Sequence, residues 1–236
     1  MDKYTPPNKT VLKLFSKMGG GHFDQMRTYL FEMDTSMRNQ RASLNESLKE
    51  ELVLFPNAKD LTEHVYQRHF ENYDSHFVWL LLNSALVTSY SVFEDLFQKV
   101  CFYSSELRGI KLKKDHFGAG NIVERCKKFI ETEIRLDLSE VEDEWAKLVL
   151  CQGIRNKIVH HSGRIPAGNI SLTEHAKTNP HLTTEKTKGS RDVTIFITHR
   201  IYIYDYITIA SSYLLWILIR VRFKKTVRLP VNVTSK

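Results

Sequence analysis

Apolar positions along the chain recur mostly at steps of three and four. Met26, Tyr29, Leu30, Met33 and Met37 follow that spacing and predict a long helix from His22 to about Leu54. Its second half, Arg38 to Glu51, is mostly polar, which sets it in solvent or against a partner, and Pro56 ends it. A second long helix opens at Asp60 or Thr62 and runs to about Glu106. Its centre, Phe77-Val78-Trp79-Leu80-Leu81-Leu82, and the later Leu86, Phe93, Leu96, Phe97 and Val100 leave almost no polar face. Such a helix belongs in the middle of a bundle, and its length predicts a bend.

Three shorter elements follow the same logic. Asn121 to about Ile134 reads as a helix, and Ser139-Glu140-Val141-Glu142 has capping-box spacing ahead of the next one. That helix carries Trp145, Leu148, Val149, Ile154, Ile158 and Val159, with Gly163 and Pro166 as its stop. Arg164 to Asp192 is rich in Gly, Pro, Asn and Thr and predicts a long polar loop, a length that is usually functional or mobile. The β-branched run Val193 to Thr198 predicts a strand and a short β-hairpin, and a last helix spans about Tyr202 to Arg222. The expected fold class is all-α: a helical bundle of about five helices, with the long polar loop and short hairpin before the last helix. Residues 1–57 are expected to form a loose entry segment and an exposed helix, 58–228 the bundle and 229–236 a tail.

Composition sharpens this picture in four places. Only 10 Gly and 6 Pro in 236 residues favour long helices over a many-turned β-sandwich. Lys and Arg number 34 against 27 Asp and Glu, a net charge of +7 that tolerates polyanions without demanding them. Cys101, Cys126 and Cys151 form no CxxC pair, and no Cys/His spacing fits zinc, so neither disulfides, metal nor a cofactor is expected. The start of the chain lacks a signal-peptide apolar run, and Tyr206 to Ile219 is too short to span a bilayer. A cytoplasmic protein without membrane contact is the expectation.

Chemistry concentrates in Gly153-Ile154-Arg155-Asn156-Lys157-Ile158-Val159-His160-His161-Ser162-Gly163. Trp145, Leu148, Gln152 and Arg155 share one stripe, so Arg155 continues a partly buried face and needs an acceptor or anion. Asn156 and His160 are one turn apart on a common face. Both His160 and His161 sit at a helix C-terminus, whose partial negative charge suits cationic side chains. An Arg, an amide and a His at one helix end fit phosphate chemistry; the same residues also serve as ordinary helix caps.

Arg155-Asn156-Lys157-Ile158-Val159-His160 resembles the Arg-x4-His signature of HEPN domains, and Ser84 to Leu96 resembles the long helix before the motif in one branch of that family. The resemblance covers roughly residues 60 to 225. It implies a helical bundle that works as a homodimer, with two Arg…His motifs facing across a composite cleft. It further implies a metal-independent endoribonuclease in bacterial defence or a toxin–antitoxin pair, with RNA as substrate and an antitoxin or regulatory protein as a possible partner. Arg155, Asn156 and His160 would be the catalytic residues. His161 gives a legal alternative spacing, and Glu94 or Asp95 is a candidate acid, or Glu94 a structural partner of Arg155. The basic groups Arg108-Lys111-Lys113-Lys114 and Arg220-Arg222-Lys224-Lys225-Arg228, and Tyr202, Tyr204, Tyr206 and Tyr213, are candidate RNA contacts or ordinary surface and packing residues.

Overall fold

Two long helical paths organise the chain. The computed structural model describes residues 9–112, 120–186 and 189–223. The first path joins α1 (Lys9–Phe15) to α2 (Gly21–Leu54) through a widened turn at Ser16–Gly20. Gly19 sits there at φ 112°, a conformation side-chain-bearing residues avoid. The second path runs unbroken from Pro56 to Arg108. It contains α3 (Lys59–Glu71), a widened turn at Asn72–His76 and α4 (Phe77–Arg108). Pro56 suits its start because a first-turn N–H has no helical partner, and Gly109 ends it at φ 63°.

The remaining elements pack on α4 directly or through α6 and β3. They are α5 (Ile122–Thr132), α6 (Glu142–His161), β1 (Arg164–Ile165), α7 (Ile170–Thr178), β2 (Leu182–Lys186), β3 (Val193–Ile197) and α8 (Ile201–Phe223). The strands form an antiparallel sheet in the order β1-β3-β2, with Arg164 opposite Thr194 and Thr184 opposite Ile195. The core sits between α4 and α8: Leu86, Phe93, Phe97 and Val100 meet the helix that carries Ile207, Ala210, Leu214 and Ile217, all buried. Each large side chain buried there contributes roughly 1.5–3 kcal/mol. By length and composition α8 and the Pro56–Arg108 path are each long and apolar enough to cross a membrane. In this fold, ten residues of α8 are buried against neighbouring helices.

The all-α class and the hairpin before the last helix are as the periodicity predicts. Three local expectations are corrected. The 164–192 stretch is not an open loop: it holds β1, α7 and β2, because Leu172, Ala176 and Leu182 supply buried anchors. Residues 9–20 are not loose, since Val11 and Phe15 join the main core with Phe23 and Leu30, and the core therefore crosses the expected boundary at 57. The capping box at Ser139 does not form. Ser139–Val141 makes a single tight turn, the Ser139 N–H donates to Asp137 Oδ1 at 3.0 Å, and α6 starts without a side-chain cap. Lys113, Lys114, Lys224, Lys225, Arg228 and the tail at 229–236 lie outside the described residues.

The end of α6 is fixed by backbone geometry. Ser162 adopts φ 50° and Gly163 φ 82°, and the Gly163 N–H returns to Lys157 O at 2.9 Å. Gly163 O then accepts from Ile195 N at 3.0 Å, which ties the helix end to β3. A Cβ on Gly163 would stand 2.8 Å from Ile195 O. Gly163→Ala is therefore expected to cost about 1–3 kcal/mol, from left-handed strain plus a backbone clash. Urea denaturation against wild type is the check, and Gly168→Ala, with nothing within 4 Å of its Cβ, is the control.

Candidate functional site

The C-terminal half of α6 brings the motif residues to one region, although not to one point. Leu148, Cys151 and Ile154 bury one side of the helix against α4 and α8. Arg155 lies within that buried stripe and is half-buried. Its guanidinium carbon stands 5.2 Å from the Tyr90 ring centroid, and Nη1 donates to Asn156 Oδ1 at 3.0 Å. Its Nε is buried with no hydrogen-bond partner among the described residues. A guanidinium has five N–H donors, so a half-buried one with this few partners retains capacity for an anion.

Tyr90 is part of a longer stack. Its ring lies 6.3 Å from that of Tyr206 at an interplanar angle of 24°, and Phe93 and Tyr206 meet edge to face. The guanidinium–Tyr90–Tyr206 column thus crosses from α6 through α4 to α8. The Tyr90 and Tyr206 hydroxyls are buried with no hydrogen-bond partner among the described residues. Burial pushes both phenols well above their ordinary range, so both stay neutral.

Glu94 lies one turn along α4 from Tyr90. Burial raises its carboxyl pKa and the nearby Arg155 charge opposes that rise. The pair is within electrostatic range, but among the described residues no ion pair joins them. Glu94 is therefore a neighbour of Arg155 rather than its clamp. Asp95 faces away and binds Lys99 Nζ at 2.6 Å.

His160 and His161 are both exposed in the last turn of α6. At about 100° per residue, positions five apart point about 140° from each other around a helix. Arg155 thus faces the protein and His160 faces solvent, while Asn156 lies between them and already accepts from Arg155. Two surface hollows lie away from the motif. One is lined by residues 131–142 near Arg135, the other by Asp34, Arg38, Arg41, Tyr73 and Asp74. Among the described residues no group of His, Cys, Asp and Glu is arranged to hold a metal.

Pattern reading missed a second buried polar run, one turn back along the same buried stripe of α6. Cys151 Sγ and His175 Nε2 each lie 3.4 Å from Tyr202 OH. Burial pushes the Cys151 thiol up to about 11, so it is neutral and unreactive. Leu172 closes over Gly153, where a Cβ would come within 2.7 Å of its Cδ2. Tyr202 and Tyr206 are core residues, and Tyr204 OH donates to Arg27 O at 3.2 Å, so these tyrosines serve packing rather than base stacking. No family model, no curated protein and no solved structure matches this chain.

Two outcomes follow. Tyr90→Phe removes an unpartnered hydroxyl and keeps the ring under Arg155, so it should be neutral or stabilise by up to about 1 kcal/mol, whereas Tyr90→Leu should destabilise by about 2–4 kcal/mol, both read by chemical denaturation. Burial lowers the His175 pKa below its ordinary 6.5. The native state then binds fewer protons than the unfolded chain, so stability falls as pH drops through 6.5 toward the native value. His175→Gln should flatten that part of the stability–pH profile between about pH 7.5 and pH 5, measured by thermal melts.

Proposed function

We propose that the chain is a metal-independent, HEPN-type endoribonuclease whose working site is built by two copies. The observation that supports this most is the state of Arg155: a half-buried cation held by Tyr90 and Asn156, with donors to spare, at the helix end that also presents an exposed histidine. The divergence of Arg155 and His160 within one chain favours a cleft completed by a second α6 across a two-fold axis. Val159, exposed beside the motif, gives that face an apolar contact.

In such a cleft, one His160 takes the proton as the ribose 2′-oxygen attacks phosphorus. The P–O5′ bond breaks, and the 5′-oxygen leaves with a proton from a protonated imidazole. Arg155 stabilises the charge that builds on the phosphoryl oxygens, and Asn156 orients Arg155 through the bond it already makes. The products are a 2′,3′-cyclic phosphate and a 5′-hydroxyl, and DNA, lacking the nucleophile, is spared. Within this reading, bacterial defence or a toxin–antitoxin pair is the setting, because an unregulated ribonuclease harms its own cell.

The divergence also supports a second reading, a non-catalytic module that binds RNA, nucleotide or a protein through Arg155 alone. The deciding experiment is cleavage of a labelled single-stranded RNA in EDTA by wild type, His160→Ala and Arg155→Ala, with the 3′ ends tested for cyclic phosphate. The expected result is cleavage by wild type and a loss of about 10²–10⁴-fold in each variant, with circular dichroism unchanged. Variants that cut at the wild-type rate sink the site assignment, and RNA binding by wild type without cleavage moves the reading to the second one.

A further inference from the structure

Beyond Met37, no α2 residue among the described ones joins the main core, and this part of α2 packs on α3 and the turns that flank it, forming a two-helix arm. Tyr66 is its one buried apolar side chain, and it donates to Glu51 Oε1 at 3.0 Å. At the tip, Val53, Leu54, Phe55 and Leu61 are 59–80 % exposed. Four large apolar side chains around the junction of α2 and α3 are more than isolated surface residues and mark a contact surface. The tip is also acidic. Glu46, Glu50, Glu51, Asp60 and Glu63 stand against Lys49 and Lys59 in a chain of net charge +7. Both lysines are already paired, to Glu46 and Glu63.

The opposite end of the same helical path carries the complement. Leu107 on α4 and Phe223 on α8 are about half exposed. Arg222 lies between these helix ends, its Nη1 3.2 Å from Tyr103 OH, and Lys111 is exposed just past α4. One end is therefore apolar and acidic, the other apolar and basic. Leu61 and Leu107 lie on one continuous helical path, and at 1.5 Å per residue about 70 Å separates them. The tip cannot reach the basic end of its own chain.

We propose that the arm tip docks on the Leu107–Phe223–Arg222 end of a second copy, the two chains lying antiparallel so that the contact is made twice. A two-fold pairing of this kind covers both apolar patches and neutralises both charge excesses in a closed assembly. An anionic lipid surface is the poorer match, since it would repel Glu50, Glu51 and Asp60. This surface is separate from the α6 face and does not depend on what the motif does.

The test uses the full chain. Cys101, Cys126 and Cys151 are buried, so thiols added at exposed positions are selectively labelled. Leu61→Cys/Leu107→Cys, treated with a short bismaleimide, should give a cross-linked dimer. A mixture of the two single variants should give it too, and neither single variant alone should. Because of the 70 Å separation, any such link is between chains. In sedimentation equilibrium, Asp60→Lys and Arg222→Glu should each weaken association about three- to tenfold, and their combination should recover it. A monomer at about 50 µM, a dimer that gives no 61–107 link, binding of the tip to phosphatidylserine vesicles in place of a second copy, or failure of the charge swap to restore association overturns the proposal.

Discussion

Helices α4 and α8 are each apolar around most of their circumference, and neither has a stable place in water. Packed on one another they bury Leu86, Phe93, Phe97, Ile207, Leu214 and Ile217 in a single seam, and the elements that touch that pair take their positions from it. α5 and α6 close the sides that remain apolar, α1 and the first half of α2 cover another, and β3 packs on α4. The constraint is geometric as much as energetic. Side chains that must fit two neighbours at once tolerate little shift in register, so the helix that carries Arg155 is held at a fixed height along α4.

That height explains the form of the candidate site. The inward stripe of α6 reaches Arg155 where α4 offers Tyr90 and Glu94. An ion pair buried between the helices would cost both partners their hydration, a penalty that often exceeds the attraction. The protein instead seats the guanidinium on an aromatic face and gives it one amide oxygen, and it keeps the nearby Glu94 carboxyl in an environment that resists ionisation. A cation left in that state is poorly neutralised by its own chain. The same seam also leaves phenol hydroxyls of Tyr90, Tyr206 and Tyr213 without partners among the described residues. No structural need for those hydroxyls is visible, since phenylalanine would fill the same space.

What pattern reading recovered, and what it missed, follows from how far each signal reaches. The α2, α4, α6 and α8 helices announce themselves through three- and four-residue spacing sustained over many turns, and β3 through a run of β-branched residues and one aromatic. The stop at Gly163 is legible because left-handed backbone has a residue signature. By contrast, α7 is nine residues long and its anchors, Leu172 and Ala176, are only two apolar positions in a polar stretch. Its position depends on Gly153 leaving room for Leu172, a long-range fit that no local pattern encodes. Likewise the stripe through Gln152 and Arg155 placed the arginine on a half-buried face, but nothing in the sequence named Tyr90 as its platform. The near-opposite facing of Arg155 and His160 was present in the five-residue spacing from the start and became consequential only once α4 occupied one side.

The arm shows the same seam logic in its absence. Past the end of α8, helices α2 and α3 pack, among the described residues, on each other and the turns between them, which is too little to bury two amphipathic faces. What holds them together is largely polar: Arg41 on Asp74 at 2.7 and 3.1 Å and over the Phe70 ring, Tyr73 OH on Gln40 at 2.9 Å, and Tyr66 on Glu51. These contacts fix the arm's direction at its base, where the widened turn at Asn72–His76 passes α3 into α4 without a break in the helical path. They leave the apolar residues of the tip uncovered. A rigid lever whose base is locked by directional bonds and whose end is apolar and acidic has the construction of a contact element, because flexibility would dissipate the reach that its length provides.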